Sequence, residues 1–282
     1  MSKPQQIMAN PNEKQRAQDQ QEQDLKQSLF RIKNKIVVMS GKGGVGKTST
    51  SVNLAIALSK KGYQVGIMDV DLHGPDVPRM LGLSTNLDMN ENRKLVPLAY
   101  SDKLSVISIE SLTPDKDNAI IWRGPVKYSA IRQFIADVEW GDLDFLIIDS
   151  PPGTGDEPLT VAQTISDAKA LIVTTPQEVS LADVRKSINF CKTVKMDILG
   201  LVENMSGFSC PHCGETIDMF GTGGGERTAA AMGIGFLGKI PFDQKLVACG
   251  DSGTCYQELY EETPVSRAYS EITDKMIRLL KM

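Results

Sequence analysis

The segment Gly41-Lys-Gly-Gly-Val-Gly-Lys-Thr48 decides the fold of this chain. It matches the pattern G-x-x-x-x-G-K-[ST] in full, and it stands between a β-rich run at 36–39 and a helical pattern at 48–60. The N–H groups of such a loop curve around phosphate oxygens, and the N-terminus of the next helix adds positive charge. We therefore predict a nucleotide phosphate site formed by Gly41, Lys42, Gly43, Gly44, Val45, Gly46, Lys47, Thr48 and Ser49.

Two side chains of this segment have defined chemical tasks in a phosphate loop. Lys47 is expected to contact the β- and γ-phosphates of ATP, and the Thr48 hydroxyl is expected to bind Mg²⁺. The alternative is a Gly-rich turn that binds nothing. The strand before the segment and the helix after it favour the nucleotide site.

Short apolar runs and amphipathic stretches alternate along the rest of the chain. Strands are predicted at 36–39, 65–68, 104–109, 145–148, 171–173, 198–202 and 236–237. Helices are predicted at 48–60, 126–138, 158–165, 180–195, 226–232 and 264–280. Such alternation predicts right-handed crossovers and a mostly parallel sheet. We expect a single three-layer α/β domain at 35–282 with the P-loop NTPase fold, and one arm of a surface hairpin at 94–98.

Composition and charge exclude several classes of protein. The 282 residues are 41% hydrophobic and carry a net charge of −4, which is typical of a folded globular chain. No apolar run approaches the roughly 18 residues of a membrane span, and the first thirty residues hold no apolar leader segment. A pI of about 5.4 argues against a general grip on nucleic acid. We expect a cytoplasmic protein that binds neither nucleic acid nor membrane.

Residues 1–34 differ in composition from the rest of the chain. They contain eight Gln, six basic and four acidic residues, and little that is apolar before Leu25. Such a segment cannot bury enough surface to order itself, so we predict a mobile polar tail. Its end, with Leu25, Leu29, Phe30 and Ile32, is compatible with a short amphipathic turn that docks on the body.

Two aspartates follow predicted strands at the edge where open α/β sheets bind ligands. Asp71, in Asp69-Val-Asp71, is the candidate for orienting the attacking water. Asp149 ends the apolar strand at 145–148, a position suited to holding Mg²⁺. Pro151-Pro-Gly153 resembles a switch segment, in which the Gly153 N–H would sense the γ-phosphate. Either aspartate alone is also compatible with a helix N-cap.

The five cysteines do not suit a disulfide framework, because their number is odd and a reducing compartment is expected. Cys210-Pro-His-Cys213 lies in a loop at 205–222, and two thiolates at this spacing can bind one edge of a metal or cluster. Four ligands are usually needed. A second subunit, Cys249 with Cys255, or His212 with a further residue would complete the set. A redox disulfide or structural zinc is the competing reading.

Lys42 is a second lysine inside the loop, and an ordinary phosphate loop does not require it. With it, residues 41–48 resemble the deviant Walker A motif of the ParA/MinD/nitrogenase iron protein class of dimeric ATPases. The resemblance implies that Lys42 reaches the nucleotide of a partner subunit and that hydrolysis requires a dimer. An arginine finger acts in the same way, because assembly of two subunits brings its cation to the charge of the transition state. The alternative is a solvated loop lysine.

Further segments carry a closer resemblance, at 71–81, 149–156, 203–206, 210–213 and 223–225. With them, the chain from about residue 35 onward resembles the Mrp/ApbC family of iron–sulfur cluster carrier ATPases. The resemblance implies a homodimer that holds a labile 4Fe-4S cluster between paired cysteines and passes it to apo iron–sulfur proteins, with scaffold proteins as further partners. It also implies that Asn204 reads adenine. Asp76 departs from the family pattern, where a small Ser is expected, and Cys249 and Cys255 do not match its ligands.

Two other functions remain open at this point. A ParA/MinD-type positioning ATPase needs a basic DNA-binding face or a membrane-seeking helix, and the last helix is too balanced in charge for that. Its apolar residues Ile272, Met276, Leu279 and Leu280 are expected to pack on the body. A zinc-binding regulatory protein without catalysis would use the phosphate loop only as a ligand sensor. The site residues are intact, which argues against an inactive site: Lys42, Lys47, Thr48, Asp71 and Asp149. We therefore predict an ATP-hydrolysing homodimeric carrier of iron–sulfur clusters.

Overall fold

The computed structural model describes residues 11–71, 74–84, 86–92, 94–112, 124–210 and 212–281. The strands are β1 (Ile32–Ser40), β2 (Val65–Asp69), β3 (Asp88–Met89), β4 (Leu95–Val96), β5 (Leu98–Ser101), β6 (Leu104–Ser108), β7 (Leu143–Asp149), β8 (Lys169–Thr174), β9 (Asp197–Ser209), β10 (Thr216–Ile217) and β11 (Phe236–Phe242). The helices are α1 (Pro11–Phe30), α2 (Lys47–Lys60), α3 (Val77–Met80), α4 (Gly124–Asp137), α5 (Asp156–Thr164), α6 (Glu178–Thr193), α7 (Gly224–Met232), α8 (Gln244–Ser252), α9 (Tyr256–Leu259) and α10 (Pro264–Leu279). A 3₁₀ turn covers Ile109–Leu112.

A nine-stranded sheet forms the middle layer, in the order β10-β9-β8-β1-β7-β2-β6-β5, with β11 paired to β9. The pairs β1–β7, β1–β8, β2–β7, β2–β6, β8–β9 and β9–β11 are parallel. Among the described strands, only β5 and β10 join this sheet antiparallel. The predicted α/β fold with a mostly parallel sheet is confirmed.

Successive side chains of the central strands pack into two different apolar layers, because side chains alternate between the two faces of a sheet. In β1, Ile36 and Val38 pack into the layer that contains α2 and α10, whereas Val37 and Met39 pack into the layer with α4 and α6. All four side chains are fully buried. Burial on both faces explains why these strands read as continuous apolar runs.

The N-terminal segment differs from the predicted mobile tail. Residues 11–30 form helix α1 and β1 begins at Ile32, so the expected boundary at residue 34 falls inside a strand; residues 1–10 lie outside the described part of the chain. Leu25 is 4% exposed and Leu29 packs beside it, but Phe30 is 91% exposed, so the prediction that Phe30 docks is wrong. Tertiary contacts with α4, which no local pattern reveals, order this helix.

Other elements match the predictions or extend them. The predicted hairpin is confirmed, since β4 pairs antiparallel with β3. Helix α10 buries Ile272 and Met276 as expected and leaves Leu279 56% exposed. Strand β9 runs well beyond the predicted 198–202, and α8 and α9 were not predicted. In the described residues, no helix has the length and apolar character that crossing a membrane requires.

Candidate functional site

The phosphate loop connects β1 to α2 and has the backbone shape that its glycines permit. Gly44 and Gly46 lie in the left-handed region, with φ of 77° and 79°. A Cβ at Gly41 would collide with the backbone of Asp183 on α6, and one at Gly46 would collide with the Asn204 side chain. Gly is therefore required here both for conformation and for close packing.

Lys47 is the centre of a buried ionic cluster at the start of α2. Its Nζ lies 2.8 Å from Asp149 Oδ2 and 3.5 Å from Asp71 Oδ2. Thr48 Oγ1 donates to the same Asp149 oxygen at 2.8 Å, and Ser51 Oγ donates to Asp149 Oδ1 at 2.6 Å. The fold therefore brings together Lys47, Thr48, Asp71 and Asp149 as the sequence predicts. Ser51 joins them without having been predicted.

The donor set of this cluster suits Mg²⁺. The Asp149 carboxylate is fully buried at the end of β7, and the Thr48 hydroxyl already lies within hydrogen-bond distance of it. A hydroxyl and a carboxylate at one point are oxygen ligands of the kind Mg²⁺ takes in nucleotide sites. Thr48 and Asp149 are accordingly the residues that would hold the ion.

Asp69 belongs to the site in addition to the residues predicted from the sequence. It is 1% exposed and pairs in register with Asp149 across β2 and β7. Its Oδ1 accepts from the Asp71 N–H at 3.1 Å, and its Oδ2 accepts from Ser108 Oγ at 3.1 Å. Burial, and then the nearby Asp149 carboxylate, raises the pKa of Asp69 well above its usual value. Asp69 thus positions the turn that carries Asp71, and its place at a strand end is the signal that marks it.

The segment after β7 lies beside the phosphate loop. Gly153 has a φ of 90°, and its N–H donates to the Ser40 carbonyl at 2.8 Å. The amide proposed to sense the γ-phosphate is therefore occupied by the end of β1 in this structure. Ser40 Oγ in turn donates to the carbonyl of Lys42 at 3.0 Å, which connects the two segments.

A cavity of about 370 Å³ opens beside the start of α2 and has the size of a small-molecule site. Met205, Phe242 and Leu246 contribute apolar wall, and Ser49 and Asn204 contribute polar groups. Asn204 Nδ2 donates to the Val45 carbonyl at 2.9 Å, so this residue connects β9 to the phosphate loop.

Asp76, the residue that departs from the family pattern, lies on the wall of the same cavity with Arg79. It is exposed and directly precedes α3 without capping it through its side chain.

Cys210 and Cys213 lie in a hairpin that extends β9 away from the sheet. Ser209 pairs with Thr216 of β10, the Cys210 N–H donates to the Glu215 carbonyl, and Gly214 donates back to Cys210, both at 2.9 Å. The N–H groups of Cys213 and His212 point at the Cys210 sulfur and lower its pKa. Cys213 is exposed and Cys210 is half-buried.

The other cysteines are separate from this hairpin. Cys191, Cys249 and Cys255 are buried. Burial raises the pKa of Cys191 to about 11, which suits the small core residue that the sequence suggested. Across the described ranges, no three His, Cys, Asp or Glu side chains are arranged to hold a metal ion. Neither intrachain route to a four-ligand set is therefore formed.

Comparison with known proteins identifies relatives of this chain. A family model described as ParA, NUBPL iron-transfer P-loop NTPase, matches residues 31–277. An iron-sulfur cluster carrier protein of Methanocaldococcus jannaschii is 49% identical over 235 residues, covering 83% of this chain and 81% of that protein. A cytosolic Fe-S cluster assembly factor NUBP2 homolog of Dictyostelium discoideum is 47% identical over 252 residues, covering 87% and 95%.

A solved structure agrees with these sequence matches. The nucleotide-binding protein of Archaeoglobus fulgidus, in complex with ADP, superposes with a TM-score of 0.72 at 40% identity and covers 82% of this chain and 91% of its own. Residues 31–277, which the family model matches, contain the phosphate loop, the buried Lys47 cluster and the cysteine hairpin. By these matches, the chain belongs to the ParA/NUBPL family of iron-transfer P-loop NTPases.

Proposed function

We propose that this protein carries iron–sulfur clusters to apo-proteins as an ATP-hydrolysing homodimer. The observation that carries the proposal is the course of β9, which delivers Asn204 to the phosphate loop and Cys210 to an exposed hairpin. The names of the relatives from Methanocaldococcus and Dictyostelium support the same cargo.

The phosphate site would hydrolyse ATP by attack of water on the γ-phosphorus. The bond from that phosphorus to the bridging oxygen breaks, and ADP and phosphate leave. Lys47 would bind the phosphates, Asp71 would orient the water, and Lys42 of a second subunit would approach the developing negative charge. Bound Mg²⁺ supplies further charge stabilisation to the phosphates.

The homodimer is proposed because one chain supplies too few ligands. Cys210 and Cys213 give two thiolates, and a two-fold axis beside the hairpin would give four. Exposed apolar side chains on the hairpin support a contact there, since Ile217 is 45% and Met219 is 50% exposed.

The cluster would be of the 4Fe-4S type and would bridge the subunits, and apo iron–sulfur proteins and scaffold proteins would be partners. We place the protein in the cytoplasm, because the Dictyostelium relative is named a cytosolic assembly factor.

Anaerobic reconstitution with iron and sulfide tests the cargo. We expect about two Fe per subunit, brown absorbance and the mass of a dimer, as a bridging four-iron cluster requires. The Cys213→Ala variant should lose the iron and the absorbance but bind nucleotide normally.

Ser209→Ala is the matched control, because Ser209 is exposed on the same hairpin beside Cys210. It should load iron like the wild type. Iron retained by Cys213→Ala, or a colourless wild type that holds zinc instead, would contradict the carrier function and favour a regulatory nucleotide-binding protein.

A further inference from the structure

Glu203 is a fully buried carboxylate that the proposed chemistry does not use. It precedes Asn204 at the carboxyl edge of the sheet, where it pairs in register with Thr174 of β8 and Lys239 of β11. In the described residues, no cation lies within ion-pair distance of it. The nearby Lys239 ammonium donates to Glu226, and Arg227 donates to the Thr222 carbonyl. A buried charge of this kind needs other partners.

The partners of Glu203 come from both ends of the cysteine hairpin. Ser206 Oγ, where the chain enters the hairpin, donates to Oε1 at 2.5 Å. The Gly223 N–H, where the chain leaves it, donates to the same oxygen at 2.9 Å, and the Gly225 N–H donates to Oε2 at 2.5 Å. Ser206 Oγ also lies 3.3 Å from Thr222 Oγ1. One carboxylate therefore closes the base of the loop that carries Cys210 and Cys213.

The run Gly223-Gly-Gly225 is shaped for this contact. A Cβ at Gly225 would lie 3.0 Å from Glu203 Oε2, and a Cβ at Gly224 would lie 2.7 Å from the Pro176 carbonyl oxygen. Side chains there would push the start of α7 away from the carboxylate. The N-terminus of α7 also carries free N–H groups and partial positive charge, which a carboxylate satisfies. This accounts for a glycine run that the phosphate chemistry does not explain.

The strand changes course immediately after Glu203. The register between β9 and β11 shifts between Ile240 and Phe242, and there Met205 and Gly207 take positive φ values of 56° and 80°. A left-handed conformation is unfavourable for Met inside a strand, so surrounding contacts must maintain it. The Ser206 hydrogen bond to Glu203 spans this bulge, and Met205 lines the cavity beside the start of α2.

We propose that Glu203 is a positioning residue that holds the cysteine hairpin at its base and, through Asn204, links it to the phosphate loop. Asn204 donates to the Val45 carbonyl and lines the cavity beside the start of α2. A nucleotide bound in that cavity would therefore restrain the end of β9. Glu203 passes that restraint to both ends of the hairpin. The purpose of the hairpin rests on the proposed function, but the linkage is a property of the cluster-free chain.

Hydrogen exchange of residues 207–221 tests the linkage in cluster-free protein, with and without Mg²⁺ and the non-hydrolysable analogue AMP-PNP. In the wild type, we expect the analogue to slow exchange by about threefold. Glu203→Gln should exchange about tenfold faster than the wild type and should not respond to the analogue, because one amide oxygen replaces two and an NH₂ group faces an N–H donor. Its affinity for AMP-PNP should stay within about twofold, since the phosphate contacts are intact.

Glu226→Gln is the matched control, because Glu226 lies in the first turn of α7, the helix whose N-terminus contacts Glu203. Glu226 is exposed, and among the described side chains it bonds only to Lys239. It should behave as the wild type does. If Glu203→Gln does not fold, Ser206→Ala removes one hydroxyl from the network and should show the same changes at smaller size. The proposal would be overturned if the folded Glu203→Gln variant exchanged at the wild-type rate or still responded to AMP-PNP. It would also be overturned if AMP-PNP did not slow exchange of the hairpin in the wild type. Because no iron is present, none of these results depends on cluster binding.

Discussion

At the scale of single residues, the described part of the site gathers three buried aspartates around the Lys47 ammonium. Asp69, Asp71 and Asp149 are all at most 7% exposed, and Lys47 contacts two of them. Removing a cation from such a group leaves buried carboxylates uncompensated, which is among the costliest kinds of substitution. Lys47 therefore has two tasks, one in the empty site and one toward phosphate.

Lys47→Ala should lower the affinity for ATP by about a hundredfold or more, because hydrogen bonds from a charged group contribute about 1.5–3 kcal/mol each. It should also lower the midpoint of thermal unfolding without nucleotide. Calorimetric titration and a melting curve measure the two effects. Lys60→Ala is the control, since Lys60 ends the same helix and pairs with exposed Glu261. Equal ATP affinities in the two variants would contradict the role of Lys47.

At the scale of elements, α1 shows how a polar helix is held by a few contacts. Leu25 is buried, Glu22 pairs with Arg132 of α4 at 2.5 Å, and Asp24 pairs with Lys94 at 3.1 Å. These partners are distant in sequence. They supply the order that the composition of residues 1–34 does not predict.

Acid should loosen α1. The Arg132 hydrogen bond lowers the pKa of Glu22 below its ordinary 4.5, and the Lys94 hydrogen bond lowers that of Asp24 below 3.8. A lowered folded pKa gives stability that is complete above the ordinary value and is lost as pH falls through the folded value. We expect exchange of residues 19–30, corrected for its intrinsic pH dependence, to accelerate below about pH 4.5.

The double variant Glu22→Gln, Asp24→Asn is the control for this pH effect. It should already be loose at pH 7 and should change little on acidification, because both titrating groups are gone. A double variant with the wild-type pH profile would show that other groups hold the helix.

At the scale of the whole molecule, the proposed homodimer would account for two features of the single chain. Lys42 is half-exposed, and in the described residues its ammonium has no carboxylate within ion-pair distance. The hairpin likewise offers two thiolates and exposed apolar side chains. A two-fold axis that brings phosphate loops and hairpins together would complete both sites at once.

Mixing two inactive variants tests whether Lys42 acts across that axis. Lys42→Ala binds ATP but lacks the proposed partner lysine, and Lys47→Ala supplies Lys42 but binds ATP poorly. Each alone should hydrolyse ATP about a thousandfold slower than the wild type. An equimolar mixture should recover about one quarter of wild-type activity, because half the dimers are mixed and each has one working site. Mixed dimers seen by native mass spectrometry without recovered activity would contradict action in trans.

Much of this protein can be predicted from local sequence. The phosphate loop, the central strands, α2 and the strand-end aspartates follow from glycine spacing and short apolar runs, because loop shape and burial on both faces are local requirements. These features identify the fold class and place Lys47, Thr48, Asp71 and Asp149 at one edge of the sheet.

Tertiary structure alone decided the rest. Helix α1 is ordered by contacts with α4 and Lys94. Asp69 joins the site because it pairs in register with Asp149. Glu203 accepts hydrogen bonds from a glycine run that follows the cysteine hairpin in the chain. Asp69 and Glu203 are of residue types that are usually solvent-exposed, and only distant partners make their burial favourable. The ion pairs of α1 remain partly exposed, but they too join residues that are far apart in the chain. Local sequence patterns thus specify the parallel sheet and its phosphate loop, whereas contacts between residues far apart in the chain specify how the cysteine hairpin is attached to that sheet.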